Sequence, residues 1–149
     1  MLLHSVTQLG EKQTTLGEVA CNLPDVSGQW AGAAVGKWIN APISQLTADL
    51  LGPIDAIYDR AALVALPEDM RYRYSAHLQT ITQNAPQLLL TFVYDQSVMP
   101  GPPFSISQGE VQCHYTEQYK VQHLEQKPVK GGLKGVCPAD EDIWYLQPL

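Results

Sequence analysis

The run Leu88-Leu89-Leu90-Thr91-Phe92-Val93-Tyr94 is nearly continuous in apolar content, and it constrains the fold more than any other feature of the chain. A strand exposed on one face alternates apolar and polar residues, so an unbroken run reads as a strand of a parallel sheet covered on both faces. A parallel strand needs a crossover before it, and the preceding sequence supplies one. Residues 54–58 form a shorter apolar strand. Pro67-Glu68-Asp69 then places a proline in a first helical turn and two acids where the helix dipole favours them, predicting a helix of about three turns that ends before Pro86. Strand, helix and strand at this spacing make a right-handed crossover unit.

The punctuation around this unit is regular. Residues 46–51 form a short helical or turn segment closed by the breaker pair Gly52-Pro53. Residues 107–115 can form another short helix. Residues 119–125 and 143–146 read as a final pair of strands joined by the loop around Gly131 and Gly132. The fold class is α/β, the second half of a doubly wound sheet with an antiparallel final pair.

In open sheets of this kind, ligands bind beyond the carboxyl ends of the strands. Asp59 and Arg60 follow the first strand; Asp95 and Gly101-Pro102-Pro103-Phe104 follow the second. Asp59 either caps a turn or faces a ligand, and Arg60 either pairs with an acid or contacts a ligand. The two prolines fix their own φ angles and bias the residue before each toward extended backbone. The 101–104 loop therefore comes already ordered and can be either a plain connection or an apolar wall.

Charge and cysteine usage narrow the function classes. Charged residues make up 16% of the chain and the net charge is -6, which argues against nucleic acid, because neutralising phosphates needs a clustered basic face. The basic cluster of Lys120, Lys127, Lys130 and Lys134 is interleaved with Glu117, Glu125, Asp140 and Glu141 and reads as a solvated edge. Cys21, Cys113 and Cys137 are odd in number and widely spaced, which argues against a disulfide framework and against a zinc site, and implies a reduced, cytoplasmic setting. No segment reaches the roughly 20 apolar residues of a membrane span. Met1-Leu2-Leu3-His4 lacks the basic start and apolar core of a signal peptide.

Residues 1–41 differ in character from residues 42–149. They carry polar stretches and a small-residue run at 28–36, and they read as an atypical, weakly structured segment. Gly32-Ala33-Ala34-Val35-Gly36-Lys37 invites a phosphate-loop reading, but Ala31 stands where the first glycine is needed and Trp38 replaces the magnesium-binding hydroxyl.

Taken together, Tyr58-Asp59-Arg60-Ala61-Ala62-Leu63-Val64-Ala65-Leu66-Pro67, Gly101-Pro102-Pro103-Phe104, Gly131-Gly132-Leu133-Lys134 and Asp142-Ile143-Trp144-Tyr145-Leu146 resemble the thiopurine S-methyltransferase family. The resemblance covers about residues 46–149 and implies the second half of a class I S-adenosylmethionine-dependent methyltransferase, a Rossmann-like sheet. It implies methyl transfer to an aromatic or heterocyclic thiol, or to a selenium or tellurium compound. The cofactor would be S-adenosylmethionine, with Arg60 and Ile43 as its contacts. Arg60, Pro102, Pro103, Phe104 and Lys130 would form the acceptor site, although the family's second basic group has no counterpart if Gly131 is the aligned position. No catalytic acid-base dyad and no metal are expected. A thiolate and a sulfonium neutralise each other in the transfer, so Arg60 is expected to bind and orient rather than activate.

The same resemblance implies features that residues 1–41 lack: an aromatic N-terminal segment, a Leu-Cys-Gly-Lys type turn after a strand, and an acid ending the next strand. A truncated enzyme is one expectation. The alternative is a non-catalytic remnant or interaction subunit that keeps the second half of the fold. Either way, the strand at 54–58 would lie at an open sheet edge and favour self-association.

Overall fold

A computed structural model describes residues 45–149 and, as backbone, the strands β1 (Leu2–His4), β2 (Leu16–Cys21) and β3 (Ala34–Ile39). The chain divides into two compact units, Met1–Gln8 with Leu46–Leu149, and Leu9–Gln45. In the second unit β2 and β3 pair antiparallel, Leu16 opposite Ile39 and Cys21 opposite Ala34. The small-residue run thus contributes a strand at Ala34–Ile39. The remainder of the stretch read as weakly structured lies outside the described residues, and so does Ile43.

The larger unit is built on a five-stranded sheet of order β1-β4-β5-β7-β6, with β4 at Ala56–Arg60, β5 at Gln87–Tyr94, β6 at Tyr119–Pro128 and β7 at Ala139–Pro148. The apolar run of β5 runs parallel to β4, Ile57 opposite Gln87 and Arg60 opposite Leu90. Its other neighbour is β7, antiparallel, from Gln87 opposite Leu146 to Tyr94 opposite Ala139. The expected α/β arrangement with an antiparallel final pair is therefore present.

Three local expectations are corrected. The first strand begins at Ala56 rather than at residue 54, because Gly52 turns the chain with φ +69° and ladder pairing starts at Ala56. Asp59 and Arg60 consequently lie inside β4. Pro67 is the N-cap of α2 (Glu68–Thr82), not a residue of its first turn, and the helix runs 15 residues before Gln83 and Asn84 turn left-handed. Finally, β4 is not an open edge: β1 lies parallel to it, Leu2 opposite Ala56 and His4 opposite Tyr58. The far edge is β6, where a bulge between His123 and Glu125 interrupts the register, while Lys120, Lys127 and Pro128 discourage a further strand from pairing.

The helices cover the sheet face that carries Ile57, Asp59, Leu89 and Trp144. Leu51 of α1 (Ala48–Leu51), Tyr74, Leu78 and Ile81 of α2, and Val111 and Tyr115 of α3 (Gln108–Tyr115) are all buried, as are Ile57, Leu89, Trp144 and Leu146. Ser107 caps α3 by accepting from the Glu110 amide at 3.2 Å. Trp144 donates from Nε1 to Thr91 Oγ1 at 2.9 Å, so the indole's polar atom is satisfied inside the core. Three of the five residues of the Asp142-Ile143-Trp144-Tyr145-Leu146 motif are thereby accounted for by packing, since Asp142, Trp144 and Leu146 are buried.

Candidate functional site

The carboxyl ends of β4 and β5 and the loop between β6 and β7 lie at one end of the sheet, because β7 begins where β5 ends. Three of the sequence motifs meet there. The β4 motif continues through Ala61, left-handed at φ +78°, into a 3₁₀ turn at Leu63–Ala65. The proline loop docks on this turn, the Phe104 amide donating to the Val64 carbonyl at 2.6 Å. The third motif closes on the same loop: Lys134 donates from Nζ to the Pro102 carbonyl at 2.6 Å.

The loop between β5 and α3 is held from within as well. Tyr94 donates from its hydroxyl to the Pro103 carbonyl at 2.6 Å, and its amide donates to Ser105 Oγ at 3.0 Å. Gln96 donates to Tyr94 Oη and to the Met99 carbonyl, both at 2.9 Å, while its Oε1 accepts from the Ser105 amide at 2.8 Å. Ile106 returns to the sheet by donating to the Phe92 carbonyl at 2.8 Å. Gly101 is the fixed point of the turn. Its φ is +91° and a Cβ there would lie 2.7 Å from the Phe104 ring, so both backbone and packing require glycine. Prolines and hydrogen bonds together make this loop a rigid, partly exposed wall, with Pro102 exposed and Pro103 and Phe104 half-buried.

Asp59 resolves as a structural group. Fully buried, its carboxylate accepts from the Tyr74 hydroxyl at 2.8 Å and from the Ala62 amide at 3.3 Å. Burial pushes the Asp59 carboxyl above the usual range, and the bonds from Tyr74, Leu63 and Ala62 oppose that shift. The aspartate thus caps the turn that positions Arg60 and Val64. Asp95 plays a similar local part, accepting from the Ser97 amide at 3.0 Å and hydroxyl at 2.6 Å, which lowers its carboxyl below the usual range.

Arg60 ends β4 with its side chain 59% exposed, and its Nη2 lies 3.9 Å from Glu141 Oε1. Glu141 is also 3.8 Å from Lys127 Nζ, so one acid of β7 stands between two cations. Lys130 is exposed in the turn that the Gly132 amide closes onto the Val129 carbonyl at 2.9 Å. At this end of the sheet lies an open cleft of about 530 Å³, lined by Val93, Tyr94, Val129, Val136 and Cys137 among others. Arg60, Lys130 and the proline loop are not among its walls. The structure therefore ties the loop of Pro102, Pro103 and Phe104 to the turn after Arg60, while Lys130 lies exposed on the loop between β6 and β7.

A family model, Thiopurine S-methyltransferase, matches residues 30–146. The chain belongs to the thiopurine S-methyltransferase family. A thiopurine S-methyltransferase of Xanthobacter autotrophicus is 53% identical over 105 residues, which is 70% of this chain and 49% of the relative. One from Gluconobacter oxydans is 52% identical over 107 residues, covering 72% and 49% respectively. A third, from Teredinibacter turnerae, is 51% identical over 112 residues, 75% of this chain and 52% of its own length. The chain thus spans about half the length of the curated relatives it matches.

Sequence reasoning missed the residues that assemble this end of the sheet. Glu141, Gln96 and Tyr94 carry no local signature as site residues, and Lys134 is marked only as part of the Gly131-Gly132-Leu133-Lys134 motif, because each acts through a partner brought near by strand pairing or loop closure. The glycines flanking Lys134 were the one available signal: Gly131, Gly132, Lys134 and Gly135 all have positive φ, which marks a tightly turned segment. Gly132 is additionally confined, since a Cβ there would lie 2.8 Å from the Cys137 carbonyl oxygen.

Proposed function

We propose that this chain takes part in S-adenosylmethionine-dependent methylation of a small aromatic or heterocyclic thiol, or of a selenium or tellurium analogue, and that residues 45–149 supply the acceptor side of the site. The observation that carries this reading is the convergence of three family motifs at the carboxyl end of the parallel strands, through the Phe104 to Val64 and Lys134 to Pro102 hydrogen bonds. Pro103 and Phe104 offer a flat acceptor a preordered apolar face, so little loop entropy is lost on binding. Arg60 ends β4 just before the turn on which that surface docks, and its guanidinium would orient an anionic sulfur or a carboxylate.

A cofactor of this size needs its amino acid, ribose and adenine held together. Among the described residues Arg60 is the one group assigned to it, on an exposed side chain already paired with Glu141. These residues do not fit the cofactor as a whole; they fit the acceptor. The cytoplasmic placement belongs to the same reading, supported by Cys113 and Cys137 as free thiols. No helix among the described residues is long and apolar enough to cross a membrane.

A second reading is a non-catalytic remnant or interaction subunit, supported by Arg60 being the one group assigned to the cofactor among the described residues. Calorimetric titration of the full chain with S-adenosylmethionine, with its demethylated product and with thiophenol separates the two. Saturable thiophenol binding supports the acceptor site. Heat from none of the three ligands would leave the non-catalytic reading standing.

A further inference from the structure

We infer that Arg71 is a positioning residue for the aromatic wall of the acceptor site, holding the Phe104 ring from beneath. Arg71 is 5% exposed, on the first turns of α2, and its guanidinium lies 5.8 Å from the Phe104 ring centroid, within cation–π range and largely out of water. Two bonds fix the guanidinium in that place. Nη1 donates to the Leu66 carbonyl at 2.9 Å, and Nε donates to Glu110 Oε1 on α3. The planar fork is therefore anchored at once to the segment entering α2 and to the helix that follows the proline loop, with its central carbon over the Phe104 ring.

The rest of the cluster explains why Glu110 stays put. Its Oε1 also lies 3.4 Å from His114 Nε2, and His114 Nδ1 is 3.3 Å from Ser75 Oγ on α2. The helix pair α2 and α3 is thus cross-linked by Arg71, Glu110, His114 and Ser75, and Phe104 rests on one member of that cross-link. Nothing in the ion pair itself requires an aromatic neighbour. Phe104 is also pinned by its amide to Val64 and by its ring against Gly101, and the guanidinium adds a further contact to the ring.

The inference rests on the reading of the 101–104 loop as an acceptor wall, and its test is chosen so that the two can fail separately. Amide hydrogen exchange of the full chain is compared for wild type, Arg71→Met and Arg71→Lys. Arg71→Met should speed exchange at the Phe104 amide by about tenfold more than at the Leu89 amide, which reports global opening. Arg71→Lys should restore part of that protection, because an ammonium keeps the charge but cannot make both anchoring bonds. A uniform change at Phe104 and Leu89 would overturn the inference and make Arg71 a plain structural ion pair. If Arg71→Met does not fold, Phe104→Leu probes the same contact from the other side. It should speed exchange at the position-104 amide on its own and change nothing further when combined with Arg71→Lys; full additivity would overturn the inference. Thiophenol titration then addresses the acceptor reading: absence of binding by wild type defeats that reading, while the exchange result still decides the role of Arg71.

Discussion

Lys134 and Pro102, 32 positions apart, are joined by a 2.6 Å hydrogen bond from the ammonium to the proline carbonyl. Pro102 offers no amide to neighbouring strands and lies on an exposed loop, so this carbonyl has few other ways to be held. The bond latches the turn between β6 and β7 onto the loop between β5 and α3, the two connections that frame this end of the sheet. Because Lys134 is exposed, the latch should matter more for loop order than for global stability.

Lys134→Met should therefore shift unfolding free energy by no more than about 1 kcal/mol, the net range of an accessible hydrogen bond. It should lower the backbone order parameter of the Gly101 amide toward the flexible range, below about 0.6. Nitrogen relaxation of the two proteins checks this. Unchanged order at Gly101 would show that Tyr94 and Gln96 hold the loop without the lysine.

Asp59 should control the acid side of stability. Burial raises its folded-state pKa above the ordinary aspartate value, so the folded protein keeps a proton that the unfolded chain has already released. The folded state then binds more protons in that window, and stability falls as pH rises from about 4 through the folded pKa. Asp59→Asn removes this slope while keeping an acceptor for Ala62. Asp59→Ala removes the buried acceptor of both the Tyr74 hydroxyl and the Ala62 amide and should cost about 1–3 kcal/mol. Urea titrations at several pH values for the three proteins test both statements, and a slope that persists in Asp59→Asn would assign it to another group.

Gly101→Ala should be harmful for two separate reasons. At φ +91° an alanine is strained, and its Cβ would sit 2.7 Å from the Phe104 ring. Strain of this kind costs roughly 1–3 kcal/mol. Repeating the substitution in a Phe104→Ala background should recover the steric part and leave the backbone part. Full recovery would mean the ring alone demands glycine.

The sheet was largely legible because its signals are local. Continuous apolar content marked β5, the acids after Pro67 marked α2, and the short helix expected at 107–115 is α3. Boundaries slipped by two residues at β4, where Asp59 is a buried acid that no apolar pattern announces. Long-range pairing was not legible. Nothing around Leu2–His4 says that it pairs with Ala56–Tyr58, and the acid facing Arg60 is Glu141, on a strand two places across the sheet. The proline loop was recognised as rigid from its prolines, yet its fastening by Tyr94, Gln96 and Lys134 depends on chain segments meeting in space.

Arg60 provides the comparison that separates a ligand contact from a structural ion pair. Its side chain is 59% exposed and its pairing with Glu141, at 3.9 Å, is shared with Lys127, so the pair should contribute little to folding. Arg60→Ala is accordingly expected to leave the unfolding free energy within about 1 kcal/mol of wild type. If the guanidinium contacts an anionic acceptor, the same substitution should weaken thiophenol binding by about 1.5–3 kcal/mol, the range for hydrogen bonds to charged groups. Arg60→Lys should recover part of that loss, because the ammonium keeps the charge without the fork geometry. Glu141→Gln sharpens the test: it releases Arg60 from its acid, so it should strengthen binding of an anionic ligand if Arg60 is the contact. Calorimetry and urea unfolding on the same four proteins give both quantities. Loss of stability in Arg60→Ala without loss of affinity would place the arginine with Asp59, as part of the scaffold.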